Sequence, residues 1–216
     1  MERRKALKNL SGLAALAFLP KQHLFALQQK KPLHIVGLGS AGAKVLQLIK
    51  SKGYGEIYTA INDGEDLNDG THFIHYRDSM TKRDRLLQEY DHPEATPPFS
   101  FPDEVRQVFR RDQTYVLLGG LGGHTATQMS KAIIPYLKQE NISFKAVFTN
   151  PFIFEGKRKM AFAGEVVDMS KGNPHIRFVD TESMRPHLGK LTIRAAFKKV
   201  DERMVETFVE MQVARI

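Results

Sequence analysis

The sequence predicts an α/β fold: a Rossmann-like, three-layer arrangement in which helices flank a parallel sheet. Three observations carry that expectation. From residue 32 onward, short apolar runs alternate with segments of helical periodicity, the pattern of strands joined by crossover helices. Two of those runs end in glycine clusters that lead directly into helical segments. The 216 residues, 42% of them hydrophobic, suffice for one domain with a substantial core, which excludes a disordered or fibrous chain.

Taken in order, residues 33–38 (LHIVGL) form an apolar run stopped by glycine, and residues 41–52 have helical spacing. The second strand is expected at 56–61 (EIYTAI). Residues 63–101 are polar and irregular, and Pro93, Pro97, Pro98 and Pro102 mark a loop that cannot hold regular ladders. A helix opens at Pro102-Asp103-Glu104, because proline suits the first turn and acids suit the positive helix end. Residues 114–118 (TYVLL) read as a buried strand ending in glycines, followed by a helix over 124–140 with Pro135 as a potential kink. Residues 144–149 (FKAVFT) are a further strand, and Asn150-Pro151-Phe152 leads into a helix over 154–170. The last strand is placed at 176–180. The final helix runs from about residue 190 almost to the end, with Ala195, Ala196, Val200, Met204, Phe208 and Met211 along its apolar face. No internal repeat and no membrane-spanning run is visible in the sequence.

The formal charge of +8 is unevenly placed. Residues 1–31 hold seven Lys/Arg and one Glu, whereas the other 25 cations and 23 anions leave residues 32–216 at only +2. A nearly neutral domain has no electrostatic footprint for a polyanion, so nucleic acid is not an expected partner. The absence of cysteine excludes disulfides, thiolate metal sites and a cysteine nucleophile. Residues 1–31 are therefore expected as a separate segment ahead of a domain at 32–216. Arg3, Arg4, Lys5 and Lys8 precede an uncharged stretch, as in a twin-arginine export signal; a basic amphipathic helix is the other reading. Membrane contact is expected only through this segment.

The chemistry is concentrated in the glycine turns. Gly37-Leu38-Gly39-Ser40-Ala41-Gly42 is a GxGxxG at a strand-to-helix junction, where backbone amides can approach a phosphate. Asp63, 21 residues beyond Gly42, stands where a dinucleotide site places its ribose acid, which keeps an NAD(P)-binding oxidoreductase open as a reading. A second cradle, Gly119-Gly120-Leu121-Gly122-Gly123-His124-Thr125-Ala126-Thr127, lies at another such junction. Two cradles point to a nucleoside di- or triphosphate. A P-loop is absent, since Ala43 occupies the lysine position and Lys44 comes one residue late. Thr81-Lys82-Arg83-Asp84 echoes a guanine-reading tetrapeptide but follows no strand, and is read as chance.

A third stretch, from Thr149-Asn150-Pro151-Phe152 through Phe154-Glu155-Gly156 to Met160, joins the two turns in a recognisable order. With Ala196-Phe197-Lys198-Lys199-Val200-Asp201 in the final helix, it resembles the tubulin/FtsZ family on its FtsZ side. The resemblance implies that family's nucleotide-binding domain without its second domain, with GTP or GDP as ligand and Mg2+ as an admissible companion. It implies nucleotide contacts from Gly37, Gly39, Ser40, Ala41, Gly42 and Lys44, and from Gly122, Gly123, His124, Thr125, Ala126 and Thr127, with Gly39 to Gly42 and Thr125 to Thr127 at the phosphates. Glu155 would reach the ribose with Lys159 beside it, Phe197 would stack near the base, and Asp201 would accept from the guanine N1 and N2 donors. Itself or an FtsZ-type filament is the implied protein partner, and the cytoplasm the implied location, with export as the alternative.

Departures from the family pattern bear on activity. His124, Ala126 and Gln128 stand where the signature turn has glycine, Lys44 where it has asparagine, and Lys159 where it has arginine. Residues 73–98 show no match to the family's γ-phosphate loop, and the family's acidic activating loop is not present. The expectation is a binding or regulatory module with little or no self-activated GTP hydrolysis and no assigned catalytic residue. A degenerate scaffold that binds no nucleotide is the third reading. Plainer roles stand beside these: Phe197 as core, Asp201 as a surface acid, His124 as a helix cap, and no metal-ligand spacing among the histidines.

Overall fold

In the computed structural model, which describes residues 31–64, 66–76, 101–189 and 191–213, neighbouring residues of the central strands feed opposite helical layers. The chain order is β1 (Leu33–Leu38), α1 (Gly39–Ser51), β2 (Ile57–Asn62), β3 (His72–His75), α2 (Asp103–Val108), β4 (Thr114–Gly120) and α3 (His124–Gln139). It continues through β5 (Phe144–Thr149), a 3-10 turn (Ile153–Glu155), α4 (Lys157–Ser170), β6 (Ile176–Val179), α5 (Thr181–Leu188) and α6 (Ile193–Val213). The export-type signal, the Thr81–Asp84 tetrapeptide, and Pro93, Pro97 and Pro98 fall outside the described residues.

The six strands form one sheet in the order β3-β2-β1-β4-β5-β6, and every pairing is parallel, as the α/β pattern predicts. Side-chain alternation then separates two cores. Ile35, Val116, Leu118 and Val147 meet Val45, Leu46 and Ile49 of α1 and Met204, Val205 and Phe208 of α6. On the other face Val36, Leu38, Tyr115, Leu117 and Phe148 meet Val105 of α2, Met129, Ile133 and Leu137 of α3, and Val166 of α4. Burying each such large side chain contributes roughly 1.5–3 kcal/mol, so both faces must be covered for the sheet to persist.

The connections after β1 and β4 leave in opposite directions, which opens a crevice beyond the carboxyl ends of these two adjacent strands. Two glycines set how closely α1 approaches it. A Cβ at Gly42 would lie 2.3 Å from the Leu118 carbonyl oxygen, and one at Gly37 would lie 2.7 Å from the Gly42 carbonyl oxygen. Helix α1 therefore rests on β1 and β4 backbone to backbone.

Several boundaries differ from the sequence reading. β3 lies in the stretch read as irregular: only Ile74 of its four residues is buried, and pairing with β2 rather than local pattern makes it a strand. Helix α5 was not anticipated, because Pro186 sits inside it, yet Asp180 caps it by accepting from the Glu182 N–H at 3.0 Å. Gly156, at φ +104°, breaks the segment expected as one helix from residue 154, so α4 begins at Lys157. Helix α1 starts two residues early, at Gly39. No helix among the described residues is long and apolar enough to cross a membrane.

Gly42→Ala is expected to cost about 3 kcal/mol or more, because the added methyl meets backbone that cannot step aside. Gly164→Ala, in α4 with open space around it, should instead stabilise by about 0.5–1 kcal/mol. Urea unfolding of the two variants tests whether the α1–β4 contact is as close as described.

Candidate functional site

Above the ends of β1, β2, β4 and β5 lies a pocket of about 310 Å³. Gly39, Ser40 and Ala41 of α1 form one wall, and Gly120, Leu121 and residues 123–126 form the next. The two glycine turns touch, since a Cβ on Gly39 (φ +67°) would stand 3.4 Å from the Ala126 nitrogen. Helices α1 and α3 both start without a side-chain cap, so two positive helix ends face the same space. That arrangement suits an anion with more than one charged group.

The opposite wall comes from the β5–α4 connection and α6. Glu155 accepts the Phe152 N–H at 2.9 Å with one carboxylate oxygen and the Lys159 ammonium at 3.1 Å with the other. The Phe152 carbonyl accepts the Glu155 N–H in return, which locks the 3-10 turn. Glu155 therefore organises the turn and aims Lys159. The buried Phe152 ring stacks on Phe154 (centroids 4.9 Å apart) and meets Phe197 edge-on at 5.9 Å. Phe197 is 41% exposed, so it is a pocket-edge aromatic and not the core residue of the plainer reading. Asp201 lines the pocket half-buried, which replaces its reading as a surface acid. Burial raises its carboxyl to about 6; the Lys44 ammonium opposes that rise, and neighbouring Glu202 adds to it.

Of the residues predicted for the site, Gly39, Ser40, Ala41, Gly123, His124, Thr125, Ala126, Glu155, Lys159, Phe197 and Asp201 line this one pocket. Five do not. Gly37 and Gly42 serve the packing of α1, as the close approaches above require. Gly122 has φ +85° and donates its N–H to Thr127 Oγ1 at 3.0 Å, so the fully buried Thr127 braces the turn from behind. Lys44 lies on an exposed part of α1 outside the lining. The helix-cap reading of His124 is also corrected: Gly123 holds the cap position, and the His124 ring lies nearly parallel to Phe162 at 6.3 Å.

Sequence reasoning missed Asn62, Thr149, Asn150, Phe152, Thr181 and Val200, and noted Asp63 only for a dinucleotide ribose; all line the pocket. Asn62 had a usable signal: it ends β2 beside the crevice, and the Ser40 hydroxyl donates to its Oδ1 at 3.4 Å. Thr181 had none, because it arrives through α5, where its hydroxyl donates to the Asn150 carbonyl at 3.1 Å.

Fold and site together define a Rossmann-class domain whose two glycine turns share one crevice. No family model matches the chain. It is 34% identical over 101 residues to the cell division protein FtsZ of Aquifex aeolicus, covering 46% of this chain and 28% of that protein. To FtsZ of Pseudomonas putida it is 28% identical over 182 residues, 81% of this chain and 45% of that one. It therefore spans less than half the length of these relatives. Among solved structures, the empty FtsZ dimer of M. jannaschii superposes with TM-score 0.62 at 25% identity, over 86% of this chain and 55% of that one. CetZ from Methanosaeta thermophila shares the fold, with TM-score 0.59 at 14% identity over 85% of this chain and 54% of that one. The chain is similar to FtsZ and shares the nucleotide-binding fold of the tubulin and FtsZ proteins.

Two variants separate bracing from binding. Thr127→Val leaves the buried Gly122 N–H without its acceptor and should cost about 1–3 kcal/mol in urea unfolding. Asp201→Asn removes a carboxylate that burial disfavours. Because the folded-state value is raised, the ionised group opposes folding progressively as pH climbs from the unfolded carboxyl range through about 6. The ligand-free variant should accordingly melt higher than wild type at pH 7.5, with the difference shrinking towards pH 4.

Proposed function

We propose that the pocket binds a guanine nucleotide, GTP or GDP. The observation that carries this reading is the polarity of one continuous pocket: two abutting glycine turns at one end, Phe197 and Asp201 at the other. In this pose the turns and the starts of α1 and α3 hold the phosphates, and Lys159, aimed by Glu155, adds a cation. Phe197, exposed at the pocket rim, stacks near the base. An ionised Asp201 accepts from guanine N1–H and the N2 amino group, donors that adenine does not present there, so the carboxylate is a basis for GTP over ATP. Ser40, Asn62 and Asp63 offer oxygen atoms near the phosphate end. Mg2+ would be held chiefly by phosphate oxygens, because no three His, Asp or Glu groups converge among the described residues.

The NAD(P) reading is not favoured, since it uses one glycine turn and leaves the second without a role. Hydrolysis is a separate matter. The pocket supplies a binding face. In this reading the protein acts as a nucleotide-dependent binding or regulatory module, with an FtsZ-type filament or a second copy as its partner. A cytoplasmic location, where GTP is abundant, completes the proposal; a shortened form in an exported cell fraction would overturn that part.

Thermal melting of the full chain with GTP, GDP, ATP and NAD tests the reading. A ligand at about 100 times its dissociation constant adds about 2.7 kcal/mol, a shift of a few degrees. Guanine nucleotides alone should produce the shift, and Asp201→Ala should abolish most of the preference over ATP. Equal shifts with all four, or none, overturn it. Guanine affinity should also fall as pH drops through about 6, where Asp201 gains a proton and ceases to accept two hydrogen bonds.

A further inference from the structure

Among the described residues six large apolar side chains are exposed, and five of them fall in two short stretches. Ile153 (60%) and Phe154 (62%) belong to the 3-10 turn, and Leu191, Ile193 (71%) and Phe197 surround the start of α6. The fold makes these one surface. Phe152 stacks on Phe154 and meets Phe197 edge-on, and Ile193 precedes Phe197 by one turn of α6. Leu191 lines a groove with Met184, which packs on the cluster of Phe152 and Val200 beneath. The turn that carries Ile153 and Phe154 is itself held in place, because the Glu182 carboxylate accepts the Ile153 N–H at 2.7 Å.

Charge is concentrated in the same place. Residues 153–159 and 191–199 hold six cations and one acid, a net of +5, whereas residues 32–216 as a whole carry only +2. The rest of that domain is accordingly at −3. Lys159 and Lys199 are paired with Glu155 and Glu202, but Lys157, Arg158, Arg194 and Lys198 are exposed and form no ion pair with the described residues. A patch that is apolar and ringed by unneutralised cations suits a partner that is apolar and anionic at once. We propose that this face is a docking surface for an anionic lipid bilayer: Ile153, Phe154 and Ile193 enter the headgroup region while the four cations meet the lipid charges at its surface. The apolar groups sit on a turn and at a helix start, so they enter a soft interface without requiring a matching cavity, which favours a bilayer over a protein partner. The sequence pattern placed membrane contact in residues 1–31 alone. A second weak contact, on the domain itself, makes attachment of one chain stronger than either contact gives by itself.

Flotation of the full chain tests this with vesicles of phosphatidylcholine alone and of phosphatidylcholine mixed with phosphatidylglycerol. Wild type is compared with two double variants, Phe154→Ser with Ile193→Ser, and Arg194→Gln with Lys198→Gln; all four positions are exposed, and melting without vesicles confirms that each variant is folded. The expected result is binding to the mixed vesicles and not to the neutral ones, weakened by salt and reduced about tenfold or more in each double variant. Undiminished binding in either variant returns the contact to residues 1–31 and overturns the proposal. Equal binding to neutral vesicles, or no binding by wild type, overturns it as well. Self-association without vesicle binding, lost in the same variants, makes this face a protein interface instead. Nucleotide is omitted throughout, so failure here leaves the guanine reading standing.

Discussion

The contact between Gly42 and the Leu118 carbonyl is the constraint on which the rest of the site depends. A side chain at either level would hold α1 off the sheet, because only a missing Cβ allows a helix backbone to come so near a strand. With α1 seated, the first turn carries Gly39 against Ala126, and the two strand-to-helix junctions become one surface. The burial of Val45, Leu46 and Ile49 against the sheet and α6 supplies the free energy that holds the helix there. Phosphate-type geometry at the crevice is therefore a consequence of packing several ångströms below it.

The second turn is held by a different device. Gly122 takes a left-handed conformation, and its N–H is satisfied from behind by Thr127, which leaves the front of the turn facing the pocket. A residue type that looks like a ligand contact in sequence is here the brace of the loop that faces the pocket. Glu155 shows the same inversion: both of its oxygens are engaged by protein donors, and its effect reaches the pocket through the orientation of Lys159. The site is thus a few exposed groups carried by a shell of residues whose hydrogen bonds are already spent.

At the Phe197–Asp201 end of the pocket the balance differs, because the groups there are the poorly accommodated ones. Phe197 remains substantially exposed, and the Asp201 carboxyl is shifted towards its neutral form by burial. Both are unfavourable to the unliganded protein and favourable to a flat heterocycle that offers hydrogen-bond donors.

The alternating pattern of strands and helices, the parallel sheet and both glycine turns were legible in the sequence, because each is written in local chemistry: β-rich runs, helical spacing, glycine where the backbone must turn. The order of Gly39–Ala41, Gly123–Ala126, Glu155 and Asp201 along the chain was legible for the same reason, and all of them meet in one pocket. β3 and α5 were not, since a four-residue strand with one buried side chain and a helix containing proline are decided by the neighbours they pair with and the cap they receive. Nor could sequence divide the glycine-turn residues into those that face the pocket and those, such as Gly42 and Thr127, that face protein. By itself the sequence determined which backbone turns were available and which charges lay near them. Only the tertiary structure decided the direction in which each group points, because that depends on the helix phase and strand register imposed by burying two hydrophobic faces at once.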